Sequence, residues 1–206
     1  MEIDKWKGTN RNPMCCRYYI DTDTTYELNR MANRIDQSFS GCRTGDICPS
    51  DFAPVLSGRS GEKVLSLKRW GYLSAYSRGL VINARSETVT TLPMFRNGFQ
   101  HRRIVIPAAG FYEWNPNREK NTFRHPDSNI LYMAGICDRF NGEDRFVILT
   151  TAANSCMKPV HDRMPLILKK SDLTDWLFYD TAAKEMLHHT PMELTRESEY
   201  EQLSLF

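Results

Sequence analysis

The sequence predicts a single mixed α+β domain, with strands at its centre and helices at its edges. Three β-branched or aromatic runs, Ile104 to Ile106, Leu131 to Ile136 and Phe146 to Thr150, are bounded by Pro, Asn, Gly and charged residues, as buried strands are. Segments with helical spacing precede and follow these runs. The 206 residues suffice for one core, and no repeat or long Pro/Gly/Ser linker divides them.

The elements before the central strands differ in how clearly the sequence marks them. Residues 1–13 are polar and predict a flexible leader or non-native extension, which leaves residues 14–206 as the domain. Thr24 to Arg34 combines a Thr24-x-x-Glu27 capping box with apolar residues at helical spacing, which predicts a helix. Cys48 to Val55 contains two prolines and polar residues, which indicate a loop.

The next segments complete the expected element order. A turn at Gly58 to Gly61 leads to a short predicted strand, Lys63 to Leu67, and Trp70 to Leu73 is expected to be half-buried. Pro93 suits the first turn of a helix that covers Met94 to Gln100. Two further helices are predicted near the end of the chain, over Ser171 to Tyr179 and Ala182 to His188.

Composition and charge exclude several classes of protein. Lys plus Arg exceeds Asp plus Glu by 27 − 25 = 2, so the net charge alone does not indicate a nucleic-acid partner. A local basic patch that binds nucleic acid stays an open alternative. The six cysteines include no C-x-x-C pair and no Cys/His set with metal spacing, so we expect reduced thiols, no metal and no cofactor. No membrane span or signal peptide is recognisable, and the expected location is cytoplasmic.

Cys15 follows Met14, and removal of a start methionine there would make Cys15 the N-terminal residue. The reference pKa of its α-amine is about 8 and that of its thiol is about 8.5. At neutral pH a fraction of each group would therefore be deprotonated and nucleophilic. An aldehyde would form a Schiff base with the amine, and the thiol would then close a thiazolidine ring. The plainer interpretation of Cys15 is a small buried apolar residue.

Two further groups could move protons. Glu113 lies between Tyr112 and Trp114 after an apolar strand, where burial would raise the pKa of a carboxyl toward the range of a general acid or base. His161 lies in a loop bounded by Pro159 and Pro165. An ion-paired surface glutamate and a hydrogen-bonded structural histidine are the alternatives.

Arginine and tryptophan residues accompany these candidates. Arg17, Arg85 and Arg163 could bind phosphates, because guanidinium binds phosphate oxygens in a bidentate manner. Trp70 and Trp114 could stack on nucleobases, although residue type alone favours a place in the core.

Taken together, these segments resemble the SRAP family, the SOS-response-associated peptidase domain proteins that shield abasic sites in single-stranded DNA. The similarity rests on motifs in the family's order between Met14 and Leu177: Cys15-x-Arg17-Tyr18, Trp70-Gly71, Asn83-Ala84-Arg85-Ser86-Glu87-Thr88, Arg103 with Pro107-Ala108-Ala109-Gly110-Phe111-Tyr112-Glu113-Trp114, and His161-Asp162-Arg163-Met164-Pro165. The resemblance implies the family's fold, a largely antiparallel, barrel-like sheet flanked by helices.

The resemblance also implies a function and roles for residues. Cys15 would form a thiazolidine with the ring-opened deoxyribose aldehyde of an abasic site, so that processing is covalent capture more than rapid turnover. Glu113 would help to open the sugar and move protons, and His161 would assist ring opening and take part in reversal of the crosslink. Asn83 would orient the Cys15 linkage.

The implied partner is single-stranded DNA with abasic sites, bound by a monomer without a membrane or a metal. The resemblance places the following residues along the DNA path: Arg17 and Arg85 at phosphates, Trp70 and Trp114 near the strand, and Pro49 and Thr151 near the strand or pocket.

Two departures from the family pattern affect this expectation. Cys16 occupies the place of the family's usual glycine and adds a second thiol beside the site. Cys15 has an amide instead of a free amine unless translation starts at Met14 or the leader is removed, and we expect Met14 to be the start.

Two other functions stay open at this point. The first is a self-processing cysteine peptidase, with Cys15 as nucleophile, His161 as base and Asn83 or Glu113 as orienting group. The second is a non-covalent single-strand binding module, whose affinity would survive Cys15→Ala.

Overall fold

The strands of the chain form a closed barrel and a second, smaller sheet. In a computed structural model of the protein, the structure describes residues 16–37, 39, 41, 44–74 and 79–198. The predicted leader, Cys15 and the last residues of the chain lie outside these ranges. In the described part, the strands are β1 Arg17–Ile20, β2 Arg34–Ile35, β3 Gly45–Ile47, β4 Phe52–Arg59, β5 Glu62–Trp70, β6 Tyr72–Leu73, β7 Leu80–Val81, β8 Asn83–Arg85, β9 Arg103–Ala108, β10 Gly110–Trp114, β11 Lys120–Arg124, β12 Leu131–Phe140, β13 Glu143–Ala152, β14 Arg163–Pro165, β15 Ile167–Leu168 and β16 Thr195–Ser198. The α-helices there are α1 Thr22–Met31, α2 Pro93–His101, α3 Leu173–Phe178 and α4 Asp180–Met186.

The larger sheet closes on itself. Its strands follow the order β14-β13-β12-β9-β4-β5-β2, and an additional pairing between β13 and β5 joins the two ends of the run β13-β12-β9-β4-β5. The neighbours within that run are antiparallel, whereas the closing pair is parallel and aligns Arg145 with Arg69 and Phe146 with Trp70. The second sheet has the order β16-β11-β10-β1-β3 and is antiparallel throughout. The predicted α+β class with a largely antiparallel, barrel-like sheet is therefore confirmed.

The three apolar runs predicted as strands lie at the centre of the barrel. They belong to β9, β12 and β13, and Ile104, Met133 and Val147 on these strands are fully buried. Pro93 is in the first turn of α2, as predicted, and that helix covers the sheet with the buried rings of Phe95 and Phe99.

Three local expectations are wrong. Cys48 to Val55 is not all loop, because β4 begins at Phe52 and includes Pro54. Pro54 is aligned with Leu67 of β5, whereas the pairing of β4 with β9 begins only at Leu56. One side of the strand is therefore unpaired at Pro54, and a proline, which has no N–H, is accommodated there. Trp70 and Tyr72 are fully buried, not half-buried.

The cap of α1 also differs from the predicted box. Asp21 precedes the helix, and its carboxylate accepts hydrogen bonds from the Thr24 backbone N–H at 2.8 Å and the Thr24 hydroxyl at 2.7 Å. Thr24 therefore lies inside the first turn, and its side chain is buried.

Ser60 and Gly61, the last two residues of the predicted turn segment, form the tight turn between β4 and β5. Both residues have positive φ, 52° and 79°, as a two-residue hairpin turn requires. None of the helices in the described ranges is long and apolar enough to cross a membrane.

Candidate functional site

The end of β13 brings three of the predicted site residues together. β8 runs parallel to β13 and aligns Asn83 with Ile148 and Arg85 with Thr150. β14 lies on the other side and aligns Met164 with Thr151. Asn83 is half-buried, Arg85 is exposed, and Thr151 is buried at 9% exposure.

Arg163 ties the His161 loop to this strand end. Its guanidinium makes a bidentate pair with Glu87, at 2.5 and 2.8 Å, and donates to the Thr150 carbonyl oxygen at 2.6 Å. These hydrogen bonds hold the pKa of the Glu87 carboxyl below its ordinary value, and the nearby Arg85 charge acts in the same direction. The segments around Arg85 and His161 therefore form one rigid unit.

His161 has one ring nitrogen committed to its own loop. Its Nδ1 lies 3.0 Å from the Arg163 backbone N–H and 3.1 Å from Asp162 Oδ1. A nitrogen that accepts from an N–H cannot also donate, so the two contacts belong to different protonation states. The neutral ring accepts from Arg163 and carries its proton on Nε2, whereas the protonated ring donates to Asp162. Both an N–H donor and a carboxylate oxygen thus lie within hydrogen-bond distance of the same ring nitrogen.

Asn154 holds the loop that precedes His161. Its side chain is 7% exposed and donates from Nδ2 to the carbonyl oxygens of Pro191 at 3.2 Å and Met192 at 2.8 Å. Its Oδ1 accepts from the Met157 backbone N–H at 3.3 Å, and the Met157 carbonyl oxygen in turn accepts from the His161 N–H at 3.0 Å. The position of His161 therefore depends on an amide that bridges two distant segments.

Glu193 holds the same loop from outside. Its carboxylate accepts hydrogen bonds from the Ser155 hydroxyl and from the Cys156 backbone N–H. The Leu194 N–H donates to the Cys156 sulfur at 3.3 Å. Burial raises the pKa of the Cys156 thiol, so this cysteine is part of the packing of the loop and is not an activated nucleophile.

Glu113 is a buried carboxylate at the end of β10. It is 2% exposed and is aligned with Asn121 of β11. On the other side, β1 pairs with β10 as far as Arg17 and Tyr112, so Cys16 lies one step further, beside Glu113. Burial raises the pKa of the Cys16 thiol, and the charge of Glu113 raises it further.

The predicted nucleophile Cys15 lies outside the described residues. The next residue, Cys16, is the first that the structure describes, and it lies beside the buried carboxylate of Glu113. At neutral pH the Cys16 sulfur is held as a thiol, because both the burial and the carboxylate oppose its ionisation.

Arg17 and Trp114 lie together on the outward side of this strand pair. The Arg17 guanidinium carbon is 5.8 Å from the centroid of the Trp114 ring, and both side chains are partly exposed. Arg17 also pairs with Asp46 at 3.6 Å, with about half of each side chain open to solvent, an arrangement that contributes little to stability. A phosphate can therefore compete for this guanidinium at small cost.

Trp70 does not lie on an accessible surface, which corrects the expectation that it contacts DNA. Its ring is fully buried, 5.2 Å from Tyr18 and 6.2 Å from Phe146, and it donates from Nε1 to the Ile82 carbonyl oxygen at 3.0 Å. The indole joins β1, β13 and the residue before Asn83. Its role is to position these strands.

Pro49 occupies a turn that is fastened to the backbone of Trp70. The Asp51 N–H donates to the Cys48 carbonyl oxygen, and the Ser50 N–H donates to the Trp70 carbonyl oxygen at 2.9 Å. Ser50 has φ of 78°, the positive value that the third residue of a type II turn requires, with Pro49 at the second position. Pro49 is half-buried, and Trp70 thus links its turn to both strand groups of the site.

A metal centre finds no support in the described ranges, where no three His, Cys, Asp or Glu residues are grouped to hold an ion. The groups that the arrangement brings together are a buried carboxylate, an imidazole, an amide and two arginines that reach solvent.

A family model for "SOS response associated peptidase (SRAP)" matches residues 14–204. The chain belongs to the SRAP family. Among curated SRAP relatives, the chain is 30% identical over 146 residues to the abasic site processing protein YoqW of Bacillus subtilis (strain 168), covering 64% of this chain and 65% of YoqW. It is 30% identical over 148 residues to the abasic site processing protein YedK of Escherichia coli (strain K12), covering 68% and 67% of the two chains. The chain thus spans just under two thirds of YoqW.

Two solved structures share the SRAP-like fold of this chain. A protein from Bordetella bronchiseptica superposes with a TM-score of 0.74 at 23% identity, covering 89% of this chain and 99% of that one. A protein from Bacteroides thetaiotaomicron superposes with a TM-score of 0.73 at 22% identity, covering 89% and 91%. Both similarities concern the fold alone.

Sequence reasoning missed Asn154 and Glu87. Asn154 carried a usable signal, because an Asn whose side chain accepts from the N–H three residues later is typical of the start of a helical turn. Glu87 was quoted within a motif, but its pairing with Arg163 depends on strand alignment between distant segments, which the sequence did not reveal.

Proposed function

We propose that this chain captures abasic sites in single-stranded DNA through a covalent thiazolidine crosslink made by Cys15. The observation that carries the proposal is the buried carboxylate of Glu113 beside Cys16, the residue that follows Cys15 and precedes β1. The names of the curated relatives, abasic site processing proteins, support the same substrate.

The reaction conserves atoms with the loss of one water. The α-amine of Cys15 attacks the aldehyde carbon of the ring-opened deoxyribose, and water leaves as the imine forms. The thiol then adds to the imine carbon and its proton passes to the nitrogen, which closes the five-membered ring. This step requires a free amine, so we propose Met14 as the functional start.

Glu113 and His161 supply the proton transfers in this proposal. Glu113, inside the sheet, takes and returns protons during ring opening and imine formation. His161 protonates the sugar oxygen in its charged state and assists reversal of the crosslink. The two protonation geometries at its Nδ1 support that exchange. Asn83 orients the linkage through its amide.

Arg17 and Arg85 would hold the phosphates on either side of the lesion, since both guanidinium groups reach solvent. Trp114 would contact the strand beside Arg17. Thr151 and Pro49 would line the path at the end of β13 and at the turn beside Trp70.

The test compares protein that begins at Cys15 with the chain that begins at Met1. Each is mixed with a single-stranded oligonucleotide that carries one abasic site, and the products are separated on a denaturing gel. We expect a band at the summed mass only for the Cys15-start protein, lost with Cys15→Ala and strongly slowed with Glu113→Gln. Cys16→Gly, which restores the family's usual residue, is the matched control and should keep the band.

Three results would overturn the proposal. The first is no covalent band from folded Cys15-start protein. The second is a band that persists with Cys15→Ala but disappears with Cys16→Gly, which would move the chemistry to the second thiol. The third is native protein that retains residues 1–13. Cleavage between Met14 and Cys15 that depends on His161 would favour the peptidase instead.

A further inference from the structure

The outward face of the second sheet is aromatic and basic. Strands alternate their side chains, and the inward set, which includes Tyr18, Phe111 and Phe123, is completely buried. The outward set on β1, β10 and β11 consists of two tyrosines, a tryptophan, a threonine and three cations, all at least partly exposed: Arg17, Tyr19, Tyr112, Trp114, Lys120, Thr122 and Arg124. Half-exposed aromatic rings on two adjacent strands are not part of a core.

The side chains of the two tyrosines stack against each other on this face. The rings of Tyr19 and Tyr112 are stacked, with centroids 5.2 Å apart and planes 20° from parallel. Gly110 leaves room for this arrangement, because a Cβ there would lie 2.8 Å from the Tyr19 ring and 2.7 Å from the Phe123 carbonyl oxygen. The glycine lets the Tyr19 ring lie close to the sheet.

A cationic side chain lies against each of the two tyrosine rings. Lys120 Nζ is 4.3 Å from the Tyr112 centroid, and the Arg124 guanidinium carbon is 5.9 Å from the Tyr19 centroid. Arg124 also donates from Nε to the Tyr19 hydroxyl at 2.7 Å. These contacts hold the long cationic side chains along the aromatic surface.

The acidic groups at the edges of this face are Asp46 on β3 and Glu197 on β16, and Asp46 also accepts a hydrogen bond from the Tyr112 hydroxyl. Asp46 of β3 pairs with Arg17 at 3.6 Å, and Glu197 of β16 pairs with Arg124 at 3.5 Å. Both ion pairs are about half-exposed and weak. A polyanion can therefore exchange with the two carboxylates at the edges, while the centre of the face presents rings and cations.

We propose that this face binds the single strand that flanks the lesion, with a base taking the place of the Lys120 ammonium against the Tyr112 ring and phosphates held by the displaced Lys120 and by Arg124. The inference rests on the proposed function, because Arg17 and Trp114 make the face continuous with the proposed DNA path. A basic groove that carries aromatic side chains is the arrangement by which single-strand binders work without reading sequence. Three neighbouring strands give the platform a width of about 10 Å.

The test measures non-covalent binding by the full 206-residue chain to an undamaged, fluorescein-labelled single-stranded oligonucleotide, by fluorescence anisotropy. We expect Tyr112→Ala to weaken binding by about ten-fold, the usual effect of removing one stacking ring, and Tyr112→Phe to bind as the unaltered chain does. Lys120→Ala should reduce the slope of log K against log salt by about 0.7, as loss of one phosphate contact predicts.

Lys184→Ala on α4 is the matched control, because Lys184 is exposed on another element and carries the same charge. The inference is overturned if Tyr112→Ala and Lys120→Ala bind as the unaltered chain does, or if Lys184→Ala changes the slope as much as Lys120→Ala. If Tyr112→Ala fails to fold, Lys120→Ala and Arg124→Gln decide the question in its place.

The crosslinking gel separates this inference from the proposed function. Normal crosslinking by the Cys15-start protein, with undamaged-strand binding indifferent to Tyr112 and Lys120, refutes the platform alone. Binding that depends on these residues, with no crosslink, refutes covalent capture and retains the platform as a single-strand surface. Equal binding of an acidic peptide of the same charge would show that the face selects anions and would refute the stacking role.

Discussion

Replacement of Asn154 tests whether one buried amide fixes the loop that carries His161. Asn154→Ala removes the two hydrogen bonds to the Pro191 and Met192 carbonyl oxygens, at 3.2 and 2.8 Å, the one from the Met157 N–H at 3.3 Å, and a weak one from the Cys156 thiol at 3.0 Å. At about 1 kcal/mol for each hydrogen bond, with a moderate further penalty for partners left without one, the cost is about 3 kcal/mol.

This loss should appear as a lower urea midpoint and a melting temperature about 6–12 °C lower, for a chain of this size. Asn154→Asp is the informative comparison. It keeps an acceptor for Met157 but turns a carboxylate oxygen toward two carbonyl oxygens, so it should be at least as destabilising at pH 7. Its defect should shrink in acid, where the introduced carboxyl is protonated and can donate again.

The same variants should slow crosslinking by the Cys15-start protein, since His161 donates its backbone N–H to Met157 within this loop. A change in unfolding free energy of less than about 0.5 kcal/mol for Asn154→Ala, the range of ordinary surface substitutions, would refute the reasoning. So would a pH-independent defect in Asn154→Asp.

The remaining predictions concern ion pairs. The side chain of Lys68 is 9% exposed and pairs with Asp144 at 2.8 Å. Asp144→Asn should lower the free energy of unfolding by about 2–3 kcal/mol, because it leaves a buried ammonium without its carboxylate, whereas Lys68→Met should lower it by about 1 kcal/mol or less. Equal losses of the two variants in urea unfolding would contradict this. Hydrogen bonds from Arg163 lower the pKa of Glu87 in the folded state, so its stabilisation is complete above the ordinary pKa of a glutamate and is lost as pH falls through the lowered value. Glu87→Gln should therefore lower the free energy of unfolding at pH 7, by less than about 1 kcal/mol because half of the side chain is exposed, and the difference in urea unfolding should shrink as pH falls below the ordinary pKa of a glutamate.

The sequence predicted the parts of the fold that local pattern governs. The apolar runs of β9, β12 and β13 are marked by residue type alone, since the strands are buried on both faces and flanked by turn residues. Pro54 was misread because the effect of a proline depends on whether its side of the strand has a partner, which is a property of the whole sheet. Closure between β5 and β13 is likewise invisible to a local pattern.

The site was predicted by residue identity more than by position. Glu113 is buried, as one of the two interpretations required. Trp70 also satisfies a sequence motif, yet it lies in the core, because a large ring at the junction of three segments stabilises their packing. A motif identifies residues that matter without separating those that touch a ligand from those that hold others in place.

The parallel seam that closes the barrel has a consequence for folding. It aligns Arg69 and Trp70 with Arg145 and Phe146. The pairing therefore closes the long chain segment between these residues, and the conformational entropy of that segment opposes it. β8 pairs with the next residues along β13, so Asn83 and Arg85 are held in place by the strand that closes the barrel. These two residues therefore depend on pairings between segments far apart in the sequence, and a chain in which those pairings have not formed has no assembled candidate site.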